Sequence, residues 1–227
     1  MITGRQEILD HRNVNHFTDL IRNMLLNINP EDNDSPHSYL PSAVRLQESG
    51  VKFTALKEER LLDIKRRQRN FKIPIPYFSG IELKIPVLQV VDNTETVIRN
   101  VMAFEQCHYP FKTHVCNYII FMDSLIDTEK DVDLLIEERI ISNLMGDSAT
   151  IARMFNRLCL NVNLSPSCYS GIIRDLKDHY EDGWNRARAT LKRVYFSNPW
   201  KGTGTIAGIT LLLLTLIQTI CSMKQVV

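Results

Sequence analysis

Between Lys201 and Lys224 the chain runs for about 22 residues, Gly202 to Met223, without a formal charge, and only Gln225, Val226 and Val227 follow Lys224. At about 1.5 Å of rise per residue such a helix covers a hydrocarbon core of roughly 30 Å. A stretch of this length constrains every other reading, because whatever the rest folds into must hang from it. The isoleucines at 206, 209, 217 and 220 and the leucines at 211 to 214 and 216 each favour insertion by about 0.3 to 0.6 kcal/mol, near 4 kcal/mol together. The sequence therefore predicts one C-terminal transmembrane helix. It is no secretory signal, since it lies at the wrong end and Met1 opens no apolar run.

The flanks predict an orientation. Arg186, Arg188, Lys192, Arg193 and Lys201 precede the segment and only Lys224 follows it, which places the body on the cytoplasmic side of a single-pass, tail-anchored protein. Tyr195, Phe196 and Trp200 sit where an interfacial aromatic belt would be, with Leu213 mid-span and Asn198-Pro199 punctuating the approach. Gly204 and Gly208 have the G-x-x-x-G spacing through which two membrane helices pack as a homo-oligomer, and Thr215 and Gln218 add polar groups. The same small residues also suit a helix facing lipid alone. The predicted partners are thus the lipid bilayer, a protein, and a second copy.

With 227 residues, 44% hydrophobic and 23% charged, the chain can build one ordinary core outside the anchor. The division is 1–39, an N-terminal helix and loop; 40–198, a helical body with a β patch at 51–91; 199–223, the anchor; and 224–227, a short tail. A net charge of +1 gives no global case for nucleic acid. The local run Lys65-Arg66-Arg67-Gln68-Arg69 fits a solvated loop or, alternatively, a contact with anionic lipid or a localisation signal.

Along the body, Phe17, Leu20, Ile21, Met24, Leu25 and Ile28 predict an amphipathic helix over 16–28. A short helix follows, with Pro41 in its first turn and Gly50 as a left-handed cap. From Val51 to Val91 the pattern alternates apolar with polar, which predicts a small antiparallel β element limited by Pro74, Pro76 and Pro86. Asp92-x-x-Glu95 and Thr128-x-x-Asp131 read as capping boxes. Helical periods run through Val97 to Met102, Val115 to Ile126, Val132 to Ile140 and Ile151 to Val162, and Ser165-Pro166 opens a long helix carrying Ile172, Ile173, Leu176, Tyr180, Trp184 and Leu191. The fold class is mainly α, a helical body with a small antiparallel β patch plus the membrane helix.

The chemistry is sparse. No G-x-S-x-G, H-E-x-x-H, phosphate loop or dinucleotide glycine pattern occurs. Five cysteines, at 107, 116, 159, 168 and 221, show no C-x-x-C spacing and no disulfide framework. Cys107-His108 with His114 and Cys116 brings soft ligands close in sequence, yet on helical faces such thiols act as small core residues. No catalytic, cofactor-binding or metal residue is assigned, no cofactor is expected, and the chain is not expected to be an enzyme. Two sequons, at Asn33 and Asn163, would matter only in a lumen.

Several strings carry a resemblance: Leu40-Pro41-Ser42-Ala43 with ESGVKF (48–53), Leu62-Asp63-Ile64-Lys65, IELKIPVLQVVDNTE, Phe104 to His108 (FEQCH), and ATLKRVYFSNPW (189–200). Together they resemble the plant domain of unknown function 247 family, from about Leu40 onward, leaving 1–39 outside the motifs. The resemblance is to the C-terminal part of a usually longer protein, as in a truncated paralogue. It implies a plant membrane protein without established enzymatic activity, some relatives being linked to grass self-incompatibility. The predicted role is recognition; the alternatives are a tethered enzyme built around Glu105, Cys107, His108 and His114, and a truncated chain without function.

Overall fold

The computed structural model describes residues 16–26, 39–57, 60–70, 79–160, 162, 166–182 and 199–225. In chain order the elements are α1 (Phe17–Leu25), α2 (Ala43–Ser49), β1 (Lys52–Leu56), β2 (Lys65–Asn70), β3 (Ser79–Pro86), β4 (Leu88–Val90), α3 (Thr94–His108), α4 (His114–Leu125), α5 (Glu129–Glu137), β5 (Ile141–Asn143), α6 (Ser148–Leu158), α7 (Ser170–Glu181) and α8 (Pro199–Gln225). The architecture is mainly helical with small sheets.

The core is organised around α4. Its residues Val115, Tyr118, Ile119, Phe121, Met122 and Leu125 are buried, with Ile120, Asp123 and Ser124 half-buried, so most of its circumference faces the core. Helices α3 and α6 pack on it, α5 packs on α6, and α2 bridges α5 and α7. Phe53, Leu83 and Ile85 close the same core from the sheet side.

Strand order is β1-β3-β2, and β4 pairs with β5 separately. The β patch is therefore not simply antiparallel: β2 runs antiparallel to β3, but β1 and β3 pair in parallel with Phe53 opposite Leu83. The two core-facing residues sit in register, so burial fixes that alignment. The basic run expected as a loop forms edge strand β2, with residues 65–68 exposed. Lysine and arginine on a sheet edge oppose unwanted strand pairing.

Some of the local signals act as read and others do not. Thr128-x-x-Asp131 does close: the Thr128 amide donates to Asp131 Oδ2 at 2.9 Å, and Asp131 Oδ1 also accepts from the Val44 amide at 2.9 Å, joining α5 to the start of α2. Asp92-x-x-Glu95 does not, because α3 starts at Thr94, whose hydroxyl instead accepts from the Val91 amide at 2.8 Å, and Glu95 turns outward to Arg99 and Arg157. Gly50 ends α2 with φ 105°, the left-handed cap expected, whereas Pro41 stands ahead of the Ser42 cap rather than inside the helix. Helix α7 starts at Ser170, later than Ser165-Pro166 suggested, and Trp184 and Leu191 lie outside the described residues.

The membrane anchor requires correction. Helix α8 forms over 27 residues, but among the described residues no helix is long and apolar enough to cross a membrane. Its charge-free stretch mixes aliphatic residues with threonines at 203, 205, 210, 215 and 219, Gln218 and glycines at 202, 204 and 208. The transmembrane helix of the expected fold class, the single-pass topology and the membrane location with a cytoplasmic body are not supported.

Candidate functional site

The densest polar arrangement in the interior forms where α1 meets α3 and the start of α4. Glu105, on the last turns of α3, is fully buried, and both carboxylate oxygens are engaged. Oε1 accepts from Arg22 Nε at 2.8 Å; Oε2 accepts from the Val115 and Cys116 amides at 2.9 and 3.1 Å. Those amides belong to the first turn of α4, where unpaired N–H groups and the helix dipole favour an anion. Arg22 also donates through Nη2 to the Lys112 carbonyl at 2.9 Å, and its guanidinium lies 4.1 Å from the centre of the Tyr109 ring. The Tyr109 hydroxyl in turn donates to Asp19 Oδ1 at 3.3 Å.

This geometry holds groups in place rather than activating them. Burial pushes the Glu105 carboxyl up, while Arg22 and the two amides pull it back. Fully buried and accepting three hydrogen bonds, it is closed off from any substrate in solvent. Burial pushes the Cys116 thiol up to about 12, and the neighbouring Glu105 charge adds to that shift. A thiol so protonated is no nucleophile at neutral pH. Asp123 and Cys159 form a second pair in which burial raises the carboxyl, the Cys159 hydrogen bond lowers it, and Asp127 raises it further. The Cys159 thiol is likewise raised, first by burial and then by Asp123.

The side chains considered for a tethered enzyme do not converge. Cys107 and His108 are exposed, and His108 Nδ1 lies 3.3 Å from the Phe104 carbonyl with its ring stacked on Phe104 at 4.3 Å. His114 and Cys116 are buried at the start of α4. Among the described residues no three His, Cys, Asp or Glu side chains are arranged to hold a metal ion. Of the residues predicted to form the membrane interface, Tyr195 lies outside the described residues, and Trp200 falls within α8. Leu213 and Gln218 are exposed on α8, and Gly204 and Gly208 face open space.

The Arg22–Glu105 pair escapes sequence reading. Its members lie 83 residues apart, and the apolar period of α1 is only part of its packing face: Ile21 and Leu25 pack against the core, Phe17 and Met24 are exposed, and Asp19 and Arg22 are buried. The one available signal is an arginine placed next to apolar positions, which occurs on countless surface helices.

Comparison with known proteins gives a relationship without an activity. The profile of a family described as "Plant protein of unknown function", DUF247, matches residues 3–214, and so also takes in most of the stretch ahead of Leu40. UPF0481 protein At3g47200 of Arabidopsis thaliana is 25% identical over 183 residues, 78% of this chain and 36% of the relative. Putative UPF0481 protein At3g02645 of the same plant is 26% identical over 180 residues, 79% of this chain and 32% of the relative. The chain spans about a third of the length of these curated relatives. No solved structure matches it.

Proposed function

The chain belongs to the plant DUF247 family of proteins of unknown function, and we propose that it works by binding another protein rather than by catalysing a reaction. The observation that carries this reading is the state of its interior acids and thiols. Glu105 is buried and bonded to an arginine and two amides, and Cys116 and Cys159 are held protonated. Catalytic groups need a lone pair or a thiolate available to substrate; these are committed to joining helices. A recognition protein requires only a stable body with a selective surface, which such committed groups supply.

The test is quantitative recovery of partners by a tagged full chain in plant cells, with untagged chain added as competitor. One protein retained near stoichiometrically and displaced by the competitor is the expected result. Retention of none that the competitor displaces, across the tissues where the chain is expressed, would overturn the reading.

A further inference from the structure

The register of the three-stranded sheet sorts its side chains by face. Phe53, Leu83 and Ile85 go to the core, so the residues that alternate with them lie on the other face. Across the strands that face reads Lys52, Glu82, Arg67 in one row and Thr54, Lys84, Lys65 in the next. Lys52, Lys65 and Arg67 are exposed and Lys84 is half-buried, while Glu82 is the single acid of the two rows. Adjacent strands stand about 4.8 Å apart and alternate residues about 7 Å. The cations therefore share an area little wider than a Debye length at physiological salt, and they act together. The chain as a whole carries only +1, so the positive charge is concentrated here.

Glu82 neutralises only part of this charge. The Thr54 hydroxyl donates to its Oε1 at 2.9 Å and Lys84 Nζ lies 3.9 Å from its Oε2, so the acid is committed within its own face. Lys52 and Arg67, on either side of it, make no ion pair among the described residues. Arg66, which points the opposite way from Arg67, is by contrast paired with Asp175 at 2.9 Å. Protection of a sheet edge explains basic residues on β2, but Lys84 belongs to the central strand and has Lys65 directly opposite. Like charges so placed weaken a sheet, and an anion laid over the face relieves the repulsion.

We propose that this outer face of β1, β3 and β2 docks an acidic segment of a partner protein, whose carboxylates meet Lys52, Arg67 and Lys84. This rests on the recognition reading above and names its surface. Charge complementarity selects the occupant. Separate carboxylates suit the face better than a phosphodiester: Glu82 stands among the cations and repels a continuous polyanion, and neither row holds an aromatic ring on which a base could stack. An extended acidic segment turns every second side chain to one side, about 7 Å apart, which is the interval between the two rows.

The probe is a fluorescein-labelled peptide of alternating glutamate and serine, titrated into the full chain at physiological salt and read by anisotropy. Saturable binding is expected, and Lys52→Glu combined with Arg67→Glu should weaken it about tenfold or more, since two attractions become repulsions. Lys52→Gln with Arg67→Gln should give an intermediate loss; it carries the comparison if circular dichroism shows that the new glutamates beside Glu82 disturb the fold. Lys130→Glu with Arg153→Glu makes the same change in net charge on α5 and α6, and should alter binding by less than about twofold. Absence of saturable binding, an equal loss in the α5 and α6 control, or tighter binding of an equally charged single-stranded DNA or of anionic vesicles than of the peptide overturns the surface. If the tagged chain then still retains a competable partner, the recognition reading stands and only this surface is lost.

Discussion

The Arg22–Glu105 contact can be measured as a coupling. Both side chains are almost wholly buried, 7% and 0% exposed, at 2.8 Å. Deleting one member of such a pair costs about 3 to 5 kcal/mol, because a charge is left without its partner. Here the lower end applies: in Arg22→Met, Glu105 keeps the Val115 and Cys116 amides, and burial already pushes its carboxyl toward the protonated form. A loss of about 3 kcal/mol lowers the melting temperature of a chain this size by roughly 6 to 12 °C. Glu105→Gln should cost a similar amount by leaving the guanidinium unneutralised. The double variant should lose little more than either single one, giving a coupling of about 2 to 3 kcal/mol. Urea unfolding of the four chains, followed by far-UV circular dichroism, supplies all the terms, and the coupling should barely change between low and high salt because the pair is shielded from ions. Single-variant losses that add to within about 0.5 kcal/mol would refute the argument.

Asp131→Ala removes the acceptor shared by Thr128 and the part-buried Val44 amide and should cost about 2 kcal/mol, a lost cap plus an unpaired donor, in the same unfolding assay. Tyr118 is fully buried and its hydroxyl meets no hydrogen-bond partner among the described residues; Tyr118→Phe should therefore leave the free energy of unfolding unchanged or raise it by up to about 1 kcal/mol, and a clear loss would show that the hydroxyl has a partner. Burial raises the Asp123 carboxyl above 3.8 in the native state, so the native protein holds that proton more tightly than the unfolded chain. The stability this contributes is complete below 3.8 and is lost as pH rises through the native value. Asp123→Asn should lack that loss, as pH-dependent urea midpoints of the two chains would show; parallel curves would contradict it.

Where local chemistry decides structure, the chain could be read directly. The period of Val115, Tyr118, Ile119 and Met122 marks α4, the box at Thr128 and Asp131 starts α5, and Gly50 stops α2 because only glycine takes φ 105° without strain. Where a distant partner decides, it could not. Strand β5 continues an apolar pattern that looks helical through Ile140; the chain breaks it at Arg139, φ 61°, and Ile141 then pairs with Leu88. That α1 also buries Arg22 against Glu105 is something no local period reveals. The apolar count over Gly202 to Met223 read as a membrane span from length and total hydrophobicity, yet among the described residues no helix is long and apolar enough to cross a membrane.

The parallel pairing of Leu88 to Val90 with Ile141 to Asn143 has a kinetic consequence. Joining these strands closes an excursion of roughly 50 residues, at an entropic cost near 3.5 kcal/mol that helices formed from neighbouring residues never meet. During synthesis β4 must wait, unmatched, until Asn143 has left the ribosome. A slow, late step in refolding should accordingly belong to this short ribbon, and amide exchange at Val90 and Leu144 would follow its opening.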